Sequence, residues 1–160
     1  MGKTKKVAII MGSQSDYPTM ISCEKILKKL NIKYETKIIS AHRTPDRMYF
    51  FAKSALKNNY AVIIAGAGGS AHLPGMIASM SVLPVIGVPV ESKKLKGLDS
   101  LLSIVQMPKG VPVATVAIGE NGAYNAGILA ASIIALSEKK IKKNLENWRK
   151  SQSQAVKKKP

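Results

Sequence analysis

The sequence predicts an α/β fold: a three-layer αβα sandwich built on an open parallel sheet of flavodoxin-like type, with a C-terminal helical extension. Three observations predict it. Short, nearly all-apolar runs recur along the chain, amphipathic stretches separate them, and small or proline-marked turns stand between the two. Parallel strands covered on both faces need runs of the first kind. Strict alternation of strand and helix then implies right-handed βαβ crossovers, which place helices on both faces of the sheet.

Val7 to Met11 is an apolar run ending at Gly12, and Tyr34 to Ile39 is a β-branched run ending at Ser40. Ala61 to Ala65, Pro84 to Val88 and Val113 to Ile118 repeat the pattern, so five strands are expected. Thr19 to Leu30 carries Ile21, Ile26, Leu27 and Leu30 on one stripe, and Asp46 to Leu56 turns Phe50, Phe51 and Ala55 inward, as amphipathic helices do. Pro18 and Pro45 stand where first helical turns begin, a position for which proline is preorganised. Gly122 to Leu136 and Glu138 to Ser153 extend the helical pattern, the second carrying Leu145 and Trp148. That extension exceeds what a minimal sheet needs, which points either to packing over a neighbouring copy in a homo-oligomer or to packing on its own sheet.

A chain of 160 residues fits one domain, assigned to residues 1–156, and residues 157–160 read as a disordered basic tail. Cys23, the single cysteine, excludes an internal disulfide and reads as a buried, inert thiol. The N-terminus runs from charge straight into a strand, against a secretory leader, and no apolar run reaches the roughly 20 residues that span a bilayer. A cytoplasmic protein with no membrane partner is expected. The net charge of +16 comes from lysines scattered over the chain, with arginine only at 43, 47 and 149. Nucleic-acid binders concentrate their cations and interleave aromatics, so the charge reads as a solvated exterior that favours anionic small molecules.

In an open parallel sheet ligands bind beyond the carboxyl ends of the strands, and the unusual residues collect there. Gly12-Ser13-Gln14-Ser15-Asp16 comes after the first strand and aims backbone N–H groups at an anion before a helix N-terminus. Asp16 suits ribose hydroxyls, although Asp16 or Ser15 could equally serve as a helix cap. Ser40-Ala41-His42-Arg43-Thr44-Pro45-Asp46 comes after the second strand. Arg43 can clasp a phosphate, and His42 can exchange a proton near neutral pH, against the alternative of an incidental loop pair. Gly66-Ala67-Gly68-Gly69-Ser70-Ala71-His72 comes after the third strand; its glycines let backbone approach a ligand closely. His72 reads as a hydrogen-bonded structural histidine or as a second catalytic group. The spacing of Gly66, Gly68 and Gly69 does not make a dinucleotide fingerprint, and no P-loop, metal cluster or Ser-His-Asp set is present. Chemistry must run on protons and positioning.

These three blocks, with Leu73-Pro74-Gly75-Met76 after the third and Gly97-Leu98-Asp99-Ser100-Leu101-Leu102-Ser103-Ile104-Val105-Gln106-Met107-Pro108 after the fourth strand, resemble the N(5)-carboxyaminoimidazole ribonucleotide mutases of bacterial purine synthesis. The resemblance runs from Val7 to about Gln152. It implies a cofactor-free and metal-free isomerase that moves a carboxylate from the exocyclic nitrogen of aminoimidazole ribonucleotide to ring carbon four, through enclosed carbon dioxide. It implies that His42 handles the proton, that Ser13, Ser15 and Arg43 hold the phosphate, and that Asp16 binds the ribose. Ser40, Ala67, Gly68 and Gly69 would line a closed base and carboxylate pocket. It also implies a homo-octamer in which the C-terminal helix embraces a neighbour. Two other readings remain: the related carboxylase that fixes free carbon dioxide, which Arg43-Thr44-Pro45 disfavours, and a non-catalytic anion-sensing module.

Overall fold

The computed structural model describes residues 5–159; Met1–Thr4, on which the reading of the N-terminus partly rests, and Pro160 of the expected tail lie outside the described residues. Five parallel strands form one sheet in the order β2-β1-β3-β4-β5. The strands are β1 (Lys6–Met11), β2 (Tyr34–Ile38), β3 (Tyr60–Gly68), β4 (Val85–Val90) and β5 (Ala114–Thr115). Six helices connect and extend them: α1 (Tyr17–Lys29), α2 (Pro45–Ser54), α3 (Leu73–Met80), α4 (Leu98–Val105), α5 (Glu120–Ala135) and α6 (Lys139–Ala155). The strand order is that of flavodoxin-like folds, whose switch point lies between β1 and β3.

The apolar strand runs have no polar face because they serve two cores. Val7, Ile9 and Met11 of β1 join Val62, Ile64, Ile86 and Val88 beneath α1, α5 and α6, while Ala8 and Ile10 join Ile63 and Ala65 beneath α2, α3 and α4. Period-two alternation thus divides each strand between the two helical layers. β2 is an edge strand, and its Glu35, Thr36 and Lys37 are only partly covered or exposed, as edge strands that resist further pairing are.

Three expectations change. Phe50 of α2, expected inward with Phe51 and Ala55, is 68% exposed. The fifth strand, expected over Val113 to Ile118, pairs over Ala114–Thr115 only. Val116 N–H still donates to Gly87 O at 3.1 Å and Gly119 N–H to Pro89 O at 2.9 Å. Pro89 faces β5 with no N–H to return, so the ladder loses a rung there. The third strand extends to Gly68, and Gly66 lies inside it: an added Cβ at Gly66 would meet Met20 Sδ at 2.4 Å. That glycine makes room for a core methionine rather than for a ligand.

Cys23 is fully buried, and burial pushes its thiol pKa far up, which leaves it inert. Leu145 is buried in its own chain's core, and the half-buried Trp148 packs on the same cluster with its ring against Tyr124. The chain itself therefore gives both residues a place. Residues 157–159 are exposed and carry no helix or strand, and no helix among the described residues is long and apolar enough to cross a membrane.

Candidate functional site

Each block after a strand end is locally self-organised. Ser13 caps the short turn Gln14–Asp16: its Oγ accepts from Ser15 N–H at 3.2 Å, and its own N–H donates to Asp16 Oδ2 at 3.0 Å. The Ser13 and Ser15 hydroxyls are themselves hydrogen-bonded. Burial raises the Asp16 carboxyl above its ordinary value, against backbone bonds from Ser13 and Gly12 and the charge of Arg43. Asp16 stands at the N-cap of α1 without a side-chain cap bond to it; its Oδ2 instead completes the Ser13 cap of the preceding turn. The other, Oδ1, lies 4.0 Å from where a Cβ on Gly68 would stand, on the cleft side.

Ser40 organises the second block. Its buried hydroxyl accepts from Arg43 N–H at 3.2 Å and from Arg43 Nε at 3.4 Å, while its backbone N–H donates to Thr44 Oγ1 at 3.0 Å. Arg43 Nη2 then crosses to the first block and donates to Gly12 O at 3.1 Å. The guanidinium is held in one plane with donors to spare for an anion. Ala41 is buried beneath this turn, which turns His42 outward.

His42 does not stand alone. Its Nε2 is 2.8 Å from His72 Nδ1, and the two rings meet edge to face with centroids 4.9 Å apart. His72 is the residue before α3, carried there by the turn through Gly69, whose φ of +67° is one that glycine adopts without strain. The structural reading of His72, a hydrogen-bonded histidine, holds, and its partner is His42.

Gly12, Ser13, Ser15, Asp16, Ser40, His42, Arg43, Ala67, Gly68, Gly69 and His72 all line one cleft of about 440 Å³ at the carboxyl edge of the sheet. That volume suits a small-molecule ligand. Sequence reasoning missed one wall: Val90, Glu91, Ser92 and Lys93, at and just beyond the end of β4. Their only advance signal was position, the segment after a buried strand. The cations Arg43 and Lys93 and the acids Asp16 and Glu91 line the same space. The expected closed chamber is not formed by one chain, because His42, Gly68 and His72 are exposed. Among the described residues no three His, Cys, Asp or Glu side chains gather as metal ligands.

The fold and the cleft define a flavodoxin-like α/β protein with a cleft of small-molecule size at the topological switch point. The family model described as AIR carboxylase matches residues 6–155, and the chain belongs to that family. The N5-carboxyaminoimidazole ribonucleotide mutase of Brucella melitensis is 57% identical over 154 residues, which cover 96% of this chain and 95% of that protein. The protein of the same name from Bacillus subtilis is 57% identical over 150 residues, 94% of this chain and 93% of that one. A crystal structure of Treponema denticola PurE superposes with a TM-score of 0.85 at 29% identity, covering 94% of this chain and 92% of that chain.

Proposed function

We propose that the chain converts N5-carboxyaminoimidazole ribonucleotide to 4-carboxy-5-aminoimidazole ribonucleotide in purine synthesis, as an isomerase that needs neither cofactor nor metal. One observation carries the reading: His42, Arg43, Asp16 and the Gly68–Gly69 wall meet around a single cleft. The relatives that bear the mutase name match nearly end to end, which supports the same assignment.

In this reading Ser13, Ser15 and the spare donors of Arg43 hold the phosphate, and Asp16 accepts from the ribose hydroxyls. Ser40, Ala67, Gly68 and Gly69 line the base and the carboxylate. The first step breaks the bond between the exocyclic nitrogen and the carboxylate. Carbon dioxide leaves, the electron pair stays on nitrogen, and His42 supplies the proton that completes the amine. In the second step ring carbon four attacks the carbon dioxide, and that carbon's proton returns to His42. One proton is lent and one recovered, so a single imidazole can serve both steps. His72, hydrogen-bonded to His42, keeps the imidazole oriented between them.

Carbon dioxide would escape from an open cleft, so the working form must close it. We assign closure to neighbouring copies in a homo-octamer acting in the cytoplasm. The exposed stripe of Leu98, Leu102 and Val105 on α4, with Leu95 beside it, is an apolar surface available for such a contact. The test supplies the carboxyamino substrate without added bicarbonate and tracks the 4-carboxy product, with sedimentation to give the assembly size. Conversion is expected. A strict requirement for added bicarbonate would make the protein the carboxylase instead, and binding without turnover would make it a sensor.

A further inference from the structure

The block Gly97 to Pro108 puts no side chain into the cleft lining, and its serines have no part in the chemistry above. It forms α4, and two of its residues, Ser100 and Ser103, reach the cleft walls from behind, Ser100 by two bonds. Ser100 is fully buried. Its hydroxyl donates to Val90 O at 2.7 Å and accepts from Gly69 N–H at 2.9 Å. Gly69 and Val90 both line the cleft.

Strand register explains the arrangement. Ile63 N–H donates to Pro84 O at 3.0 Å, and β3 and β4 stay in register from Ile63↔Val85 to Gly68↔Val90. Rungs from β3 to β4 therefore leave the odd-numbered residues of β3, and the rung after Ala67 would join Gly69 N–H directly to Val90 C=O. The Ser100 hydroxyl occupies that rung. Two hydrogen bonds in series replace one, so the strands part where the cleft begins.

The turn from Gly69 to His72 depends on this rung. Gly69 O accepts from Ala71 N–H at 2.8 Å and from Ser103 Oγ at 3.3 Å, and His72 N–H donates to Ser70 O at 2.8 Å. This tight turn delivers His72 to His42. Asp99 Oδ1 accepts from Ser100 N–H at 2.9 Å and from Ser92 Oγ at 2.7 Å, which fixes the first turn of α4 and with it the hydroxyl.

We propose that Ser100 is a positioning residue whose hydroxyl, inserted as a bridging rung between Gly69 and Val90, splays β3 from β4 and sets the turn that holds the His72–His42 pair over the cleft. It acts without touching substrate, and the inference rests on the isomerase reading. Removing the hydroxyl lets the two backbone groups close on each other or leaves both unpaired; either shifts the turn.

The experiment compares Ser100→Ala and Ser100→Thr with the unaltered protein, measuring kcat, KM, the thermal midpoint and the amount of free aminoimidazole ribonucleotide released per turnover. The Ala variant is expected to lose about 10- to 100-fold in kcat, the scale of a misplacement of roughly 1 Å at a catalytic group. Its KM stays within about threefold, because the phosphate and ribose contacts lie on other loops. Release of free aminoimidazole ribonucleotide rises, and the Thr variant recovers most of kcat. The proposal is overturned if kcat is unchanged, if KM moves as far as kcat, or if kcat tracks the thermal midpoint rather than the hydroxyl. Should the Ala variant not fold, Ser100→Cys, similar in size with only a weak donor, takes its place with the same outcomes. If the unaltered protein shows no conversion, the isomerase reading fails; if it converts and the variants match it, only the role of Ser100 fails.

Discussion

Gly127→Ala tests how α1 is seated against α5, the contact that anchors the helix rising from the Asp16 turn. A Cβ on Gly127 would stand 2.4 Å from Ile26 Cγ2 and 3.3 Å from the backbone oxygen of Cys23. Carbon atoms settle at about 3.5–4.0 Å, so one helix must retreat by roughly 1 Å. Ile26 is fully buried and cannot swing out, and a backbone carbonyl cannot rotate away. Helix propensity favours alanine over glycine by about 1 kcal/mol. Overpacking costs about 1–3 kcal/mol, and two rigid neighbours put this site in the upper part of that range. The expected outcome is a net loss of about 1–2 kcal/mol in urea unfolding. For a domain of this size that lowers Tm by roughly 3–6 °C. Ile26→Leu moves the branch one carbon outward and deletes Cγ2, so the double variant should be more stable than the two single effects predict by about 1 kcal/mol. A Gly127→Ala variant stabilised by the propensity alone, or strict additivity in the double variant, would refute the steric argument.

Three further outcomes are expected. His42→Asn keeps ribonucleotide binding, measured by calorimetry, and loses about 10²–10⁴-fold in turnover, the usual worth of a positioned acid-base group. Asp16→Asn keeps a side-chain oxygen for the Ser13 N–H but loses the charged acceptor, so KM rises by about 10- to 100-fold while kcat changes less, as steady-state kinetics will report. Glu35, bonded to Lys6 and Tyr60, has its carboxyl drawn from 4.5 down to about 2, chiefly by Lys6. A depressed carboxyl stabilises the fold above its ordinary value and loses that contribution as pH falls from about 4.5 toward 2. Its side chain is 42% exposed, so solvent screening limits the effect to about 1 kcal/mol. Glu35→Gln should therefore lower the urea midpoint at pH 7 and flatten its decline between pH 5 and pH 2.5.

The parts of this fold legible in the sequence are those set by local period. Val7 to Met11 and Pro84 to Val88 are apolar on both faces because helices cover both, and that needs no knowledge of a partner. The fifth strand is shorter than its apolar run because the group that truncates it, the missing N–H of Pro89, belongs to a different strand. Gly66 resembles ligand-facing loop in the sequence because its reason, Met20, sits on α1. The same nonlocality governs the site. Ser13, Arg43 and Gly68 can be nominated from their place after strand ends, since the carboxyl edge of the sheet gathers them whatever the loop details. The pairing of His42 with His72 joins two loops, so local pattern leaves His72 between structure and chemistry. Glu91 to Lys93 include charged residues after a strand, a pattern too common to single out without seeing the wall they form.

The carboxyl edge explains why one set of residues both ends the sheet and builds the site. Where parallel strands stop, their last carbonyls and N–H groups lose their ladder partners, and burial without new ones is costly. Here four such carbonyls are met from outside the strands: Met11 O by Ile39 N–H at 2.8 Å, Gly12 O by Arg43 Nη2, Pro89 O by Gly119 N–H, and Val90 O by the Ser100 hydroxyl of α4. A side chain that ends a ladder is held at one end by the backbone it satisfies, so its remaining donors are aimed before any ligand arrives. Arg43 is the clearest case. The bonds from Nη2 to Gly12 O and from Nε to Ser40 Oγ fix its guanidinium plane, which leaves the remaining N–H groups free beside the Gly12–Ser13 turn. For Arg43, preorganisation is thus a by-product of finishing the sheet: the bond that aims its guanidinium also satisfies the carbonyl just beyond the end of β1.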